Sequence, residues 1–321
     1  MRLALAGVVL WALAGEGQVQ VPPPPPGPKA AKAKAAPPPV PAASPPLRQE
    51  GEPPPPAPVS LPAPDVELPP DSQCPALPAV RPPLAFGPGE VLEYDLDALG
   101  MVAGQLRISV RPVVDGAMSV RVEAATNTLF SKIRRVTGNA TSFLNPRTLR
   151  PLRYLEDATE NGVHKTSRVQ FRSGEHLLDL DWLYDTRSGK ATLRYGPEGL
   201  DVAGAAFLVR MLPWKVGAPI CFDVYAIRRV WRLVGKVEAR EHVSLPVGEF
   251  EAFHLSGVAI RTDDRRQRRE VHLWISDDAR RLPLAVVGTI DLGAVRATLT
   301  AFSRPGEKPV RAEDPKSSLK W

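Results

Sequence analysis

Across 321 residues there are only two cysteines and 6% aromatic side chains. Two cysteines exclude a disulfide-dense miniprotein. No apolar run approaches the roughly 20 residues that a membrane-spanning helix needs. No H-E-x-x-H, G-x-S-x-G or G-x-x-x-x-G-K pattern occurs, which removes the sequence signatures of zincins, α/β-hydrolases and P-loop enzymes. The five histidines, His164, His176, His242, His254 and His272, never pair at i, i+4. An enzyme is not expected, nor a cofactor or a metal. Asp179, Asp181 and Asp185 lack the glycine turn of a calcium loop, and the first two fall on the polar parity of a strand.

Proline is what the chain has in excess. Of 37 prolines, 25 lie between Pro22 and Pro83. Proline fixes φ and removes a backbone donor, so that stretch runs neither helix nor sheet ladder and favours extended polyproline II. Before it, Arg2 and the apolar run Leu3–Ala14, ending Ala12-Leu13-Ala14, read as a secretory signal. The expected organisation is a signal over 1–14, a proline-rich linker over 15–83, a globular domain over 84–304 and a flexible tail over 305–321. The expected location is the periplasm or cell envelope. In that oxidising setting Cys74 and Cys221 are candidates for a disulfide, the alternative being two free thiols.

Lysine and arginine total 41 against 35 aspartate and glutamate, a formal net charge of +6. The cations alternate with acids through the strands instead of forming a stripe, so nucleic acid is not an expected partner. Arg265, Arg266, Arg268 and Arg269 cluster, but Asp263, Asp264 and Glu270 stand beside them.

Beyond Leu84 the hydrophobic period becomes two. Leu106, Ile108 and Val110 alternate with polar neighbours, as do Val120, Val122 and Ala124; Val271, Leu273 and Ile275 oppose His272 and Trp274. Such alternation marks strands with one face on a core. Asp115-Gly116, Asn161-Gly162 and Ser188-Gly189 mark hairpin turns. Gly199–Leu212 alone has helical spacing, with Asp201 as N-cap and Pro213 beyond its end. The expectation is a mainly β fold: about a dozen strands in a strongly curved antiparallel sheet or open β-barrel, with one helix, about 201–212, packed on its concave face. In that arrangement Trp182, Tyr184, Phe207, Met211, Trp231 and Trp274 either fill a solid core or line an apolar groove for a lipid or another hydrophobic ligand.

Several segments carry a resemblance. Phe86-Gly87-Pro88-Gly89-Glu90, Leu92-Glu93-Tyr94-Asp95 and Asn145–Pro151 are similar to stretches of the bacterial domain of unknown function 3108 (DUF3108) family. So are Leu245–Phe253 and Trp274-Ile275-Ser276-Asp277-Asp278-Ala279-Arg280-Arg281-Leu282-Pro283. The likeness spans about 84–302, with Asn145 standing where that family more often has aspartate. It implies an exported, β-rich envelope protein and supplies no catalytic residue. More loosely, the layout resembles periplasmic lipoprotein carriers of the LolA/LolB type. The motif Asp277, Asp278, Arg280 and Arg281 reads as a structural turn. Two functions follow as expectations: a non-enzymatic binder or carrier of lipid, or a structural module that contacts another envelope protein from a proline-rich spacer.

Overall fold

Alternation along each strand decides which face is buried. In β1 (Val91–Ala98), Leu92, Tyr94, Leu96 and Ala98 are buried while Glu93, Asp95 and Asp97 face outward, half-covered. The computed structural model describes residues 69–70, 73–196, 198–290 and 293–312. The expected signal, most of the linker and the end of the tail lie outside the described residues.

The chain forms one 16-stranded sheet. After β1 come β2 (Met101–Val114), β3 (Ala117–Thr126), β4 (Val136–Leu144), β5 (Pro151–Glu160), β6 (Val163–Arg172), β7 (Leu177–Tyr184) and β8 (Arg187–Arg194), an antiparallel meander. Short β9 (Gly199–Asp201) leads into α1 (Val202–Arg210). A second meander follows: β10 (Pro219–Ala226), β11 (Arg229–Leu245), β12 (Gly248–Arg261), β13 (Arg268–Ser276), β14 (Pro283–Ile290) and β15 (Gly293–Ser303). β9 lies parallel to β10, and β15 returns to pair with β1, Leu92 opposite Phe302. β16 (Val310–Arg311) adds to β15, so the expected tail begins with an ordered piece. There are sixteen strands against about a dozen expected, and two of the additional ones, β9 and β16, are too short to show a period.

The sheet is strongly curved and is not closed into a barrel. Its free edges are β8 and β9. Register shifts at Leu96/Asp97, Val110/Val113 and Val237/Ala239 are bulges, each of which adds local twist. Gly235 stands opposite Gly257, where a Cβ on Gly235 would meet the Ser256 carbonyl at 2.1 Å. Only glycine admits so close a backbone approach.

Helix α1 is buried around its whole circumference, Val202 to Arg210. A helix apolar on all sides belongs inside a core. Asp201 caps it, accepting from the Gly204 amide at 2.6 Å and from the Ser142 hydroxyl at 2.5 Å. Burial pushes the Asp201 carboxyl up to about 6, against the opposing hydrogen bonds from Ser142, Gly204 and Ala203.

The last residues of the proline-rich stretch also lie on the domain. Leu77 and Val80 pack against the core, and the Pro69 carbonyl accepts from Arg232 Nη1 at 2.9 Å. No helix of the described residues is long and apolar enough to cross a membrane.

Candidate functional site

The six aromatic and methionine side chains considered for a groove fall in four places. Phe207 is wholly inside the core, its ring edge-on to Phe86 at 4.6 Å. Met211 is close by at the helix end, its sulfur accepting from the Ala85 amide at 3.3 Å. Trp231 is buried, with its indole N–H donated to the Ala226 carbonyl at 3.2 Å. Trp182 and Tyr184 sit near the free edge under the Arg228 guanidinium, 5.2 and 5.0 Å from the ring centres. Trp274 is on the outer parity of β13, stacked on His254 at 4.5 Å, its indole N–H donated to Glu241. The concave face that would have held a ligand holds α1.

Three sequence motifs instead converge on one side chain. Arg210, the last helical residue, is fully buried with Glu90, their side chains 0% exposed and Nη1 2.5 Å from Oε1. Its other donors reach the carbonyls of Arg281 (3.0 Å), Arg280 (3.0 Å) and Ala85 (3.2 Å). The rings of Phe86 and Phe207 lie against its guanidinium at 4.9 and 5.1 Å. A planar fork with five donors suits such a crossing, where a lysine would leave carbonyls unmet. The Phe86–Glu90 turn, the end of α1 and the Ser276–Pro283 turn are thus bound together, and the Tyr94 hydroxyl donates to Pro283 O at 2.8 Å. Burial raises the Tyr94 phenol far above its usual range, with the Arg210 charge opposing.

The same turn is braced internally. Asp278 accepts from the Arg280 and Arg281 amides at 2.9 and 3.1 Å and pairs with the Arg280 guanidinium at 2.6 Å. Burial alone would raise its carboxyl; the bonds from Arg280 and Ser276 hold it below the usual carboxylate range. Asp277 pairs with Arg240 at 2.8 Å and with Arg281 at 3.2 Å. In the sequence the opening motif, the helix end and this turn lie far apart, between 66 and 120 residues from one to the next. A charged residue closing an apolar helix was the one signal that could have joined them.

Cys74 and Cys221 are joined by a disulfide with Cα atoms 5.1 Å apart. Next to it in β10, Asp223 pairs with Arg232 at 2.7 Å, and its other oxygen accepts from the Gly196 amide at 2.6 Å. This ties the strand after the helix to the residues following β8. Tyr154 of β5 and Tyr225 of β10 meet edge to face at 5.7 Å. Among the described residues these contacts, and no ladder, link the first meander to the strand after the helix.

The outer surface carries an open furrow of about 970 Å³ over β1–β5, with Glu93, Asp95, Glu123, Asp157, Arg107 and Arg311 along it. Arg107 and Arg311 both pair with Glu93, at 3.5 and 3.2 Å. Burial raises the Asp95 carboxyl, opposed by a hydrogen bond from Gln105. The furrow offers no nucleophile beside a base. On β12 and β13, His254 Nε2 lies 2.9 Å from His272 Nδ1, and His272 Nε2 lies 3.1 Å from Glu270. Among the described residues no three His, Cys, Asp or Glu side chains group as metal ligands. Asp179 is bonded to Thr192 and Arg172 on the strand surface, at 2.7 and 3.1 Å.

A curled, mainly antiparallel sheet with a buried helix packed on it defines the class: a β-barrel-like protein. The fold resembles the β-barrel-like protein of domain of unknown function DUF1849 from Brucella abortus, at a TM-score of 0.50 and 8% identity, covering 69% of this chain and 100% of that one. The chain belongs to the family described as Protein of unknown function (DUF3108), whose model matches residues 93–300. Two further solved structures align at a TM-score of 0.29, too low to bear on the fold. One is a protein with a YmcC-like fold from Bacteroides fragilis (10% identity, 70% of this chain, 100% of that chain). The other is the hypothetical protein CT021 from Chlamydia trachomatis (9% identity, 71% and 92%). Comparison with curated proteins gives no match.

Proposed function

We propose that this chain is a non-catalytic, exported envelope protein that works through its outer surface, as an interaction module at the end of a proline-rich spacer. The observation that carries this reading is the complete burial of α1: the helix occupies the face where a carrier of this shape would hold its cargo. The packing of Phe207, Trp231, Met211 and Trp274 into or against one core cluster, with Trp182 against a separate one, supports it: these side chains are taken up by packing in the described residues. Export is supported by the apolar leader read in the sequence and by the Cys74–Cys221 pairing, which persists in oxidising compartments.

Native mass spectrometry of the protein purified from its own envelope tests the filled interior. The expected mass is that of the polypeptide alone. A stoichiometric lipid that survives desalting would overturn the reading in favour of a carrier.

A further inference from the structure

Four two-residue hairpin turns of this sheet have both residues at positive φ: Leu99-Gly100 (54°, 75°), Asp115-Gly116 (51°, 74°), Asn161-Gly162 (48°, 86°) and Ile227-Arg228 (52°, 57°), the last with Ile227 packed against the core. Aspartate and asparagine tolerate the left-handed first position, and these are the residues such turns favour. Leucine gains nothing there, yet Leu99 holds that position with 51% of its surface exposed. Ile227 offsets the same strain by packing on the core, whereas Leu99 bears it with a side chain that faces water.

Leu99 is not isolated. Met101 and Val102 begin β2 beside it, both exposed. The β3–β4 connection is fastened to this tip: the Asn127 amide donates to Ala103 O at 2.8 Å and its side chain to Val102 O at 2.5 Å. Within that connection the 3-10 turn Phe130–Lys132 buries Phe130 completely, while Leu129 and Ile133 on either side are 60% and 51% exposed. Lys132 and Arg135 are exposed in the same loop, and among the described residues no carboxylate pairs with either. Arg134 between them is buried on Glu160, and Asp97, just before the tip, faces Arg296. Asn161 braces the loop by exchanging bonds with Arg135 at 2.8 and 2.9 Å.

We infer that this end of β1–β4 docks on an anionic phospholipid surface. Leu99, Met101, Val102, Leu129 and Ile133 enter the interfacial layer, and Lys132 and Arg135 reach the phosphates. Protruding apolar tips with unpaired cations just behind them match the layered polarity of such a surface. The inference rests on the reading that the outer surface is the working one, and names its partner.

Vesicle flotation tests it, using the chain from Gly15 onward so that the apolar run Leu3–Ala14 adds no affinity. The probes are vesicles of phosphatidylglycerol with phosphatidylcholine, and of phosphatidylcholine alone. The protein is expected to float with the anionic vesicles and to be released by salt on the order of 0.5 M. Leu99→Asn with Leu129→Ser should lower partitioning at least about tenfold, as should Lys132→Glu with Arg135→Glu, at about fivefold per cation removed. Because asparagine suits the turn, the first pair should keep the parent melting temperature. The inference is overturned if the parent protein does not float with anionic vesicles, or if the Leu99→Asn, Leu129→Ser protein floats as well as the parent. It is also overturned if that variant instead loses a self-association seen by sedimentation velocity without vesicles, which would make the patch a protein contact. A lipid found by native mass spectrometry would sink the filled-interior reading and leave the flotation result standing, so the two failures are distinguishable.

Discussion

Glu90 and Arg210 show how a single buried pair can hold distant parts of a chain in place. Removing two charges from water costs several kcal/mol each, and only close geometry with further hydrogen bonds recovers it. Here Glu90 also has Arg304 at 3.5 Å, and the Arg210 donors are spread over three carbonyls of two turns. Arg210→Met leaves buried Glu90 to the longer Arg304 contact and strips the Arg280 and Arg281 carbonyls of this donor, while the Ala85 carbonyl keeps Arg304 at 3.3 Å. A loss of about 3–5 kcal/mol is expected from urea unfolding at unchanged m-value. Adding Glu90→Gln to Arg210→Met should recover part of that loss, because the uncompensated charge disappears. Strictly additive single losses would show that the two side chains do not act as a pair.

At the scale of elements, α1 and its cap make the strongest pH prediction. The Asp201 carboxyl titrates at about 6 in the folded protein, above its ordinary value near 3.8. The folded state therefore binds a proton more tightly than the unfolded chain between those values. This contribution to stability is fully present below about pH 4 and is lost as pH rises through 6. Asp201→Asn is an equally good cap and does not titrate. The difference in unfolding free energy, variant minus parent, should move by about 3 kcal/mol in the variant's favour between pH 4 and pH 7. A difference that stays flat across that range would mean that the carboxyl keeps an ordinary pKa. The helix itself was legible: Asp201, the spacing of Val202, Ala206 and Val209, and Pro213 marked it to within two residues. Period two likewise gave the strands and their inner faces. It could not give β9 or β16, of three and two residues, nor which strands meet across the fold. Alternation records a side chain's face and says nothing of its partner. Trp274 is instructive, since its parity already opposed Val271, Leu273 and Ile275. Yet it is half-buried and packs against the cluster that holds Phe207, which parity alone does not show. The convergence on Arg210 was illegible because its partners, Glu90 and Arg281, are 120 and 71 residues away along the chain.

For the whole molecule, the question is what holds an unclosed sheet in its curl. The β1–β15 ladder joins the two meanders at the centre; among the described residues, side chains such as Asp223, Tyr154 and Tyr225 link the first meander to β10. The strip before β1 is held by Arg232 on the Pro69 carbonyl and by Cys74 on Cys221. The disulfide closes a loop of 147 residues, which spans the whole first meander and the helix. In the chain-entropy account a loop that long contributes up to about 5 kcal/mol, chiefly by restricting the unfolded chain. Replacing both cysteines by serine should therefore lower the urea midpoint by an amount equivalent to about 2–5 kcal/mol. It should also free the strip locally, because few other bonds hold it. Hydrogen exchange separates the two effects. Amides at residues 73–77 should lose protection in the serine variant under native conditions, while those of β1 and β15 stay protected. If the strip kept its protection without the disulfide, Leu77, Val80 and Arg232 would suffice to hold it, and the linkage would act on the unfolded chain alone.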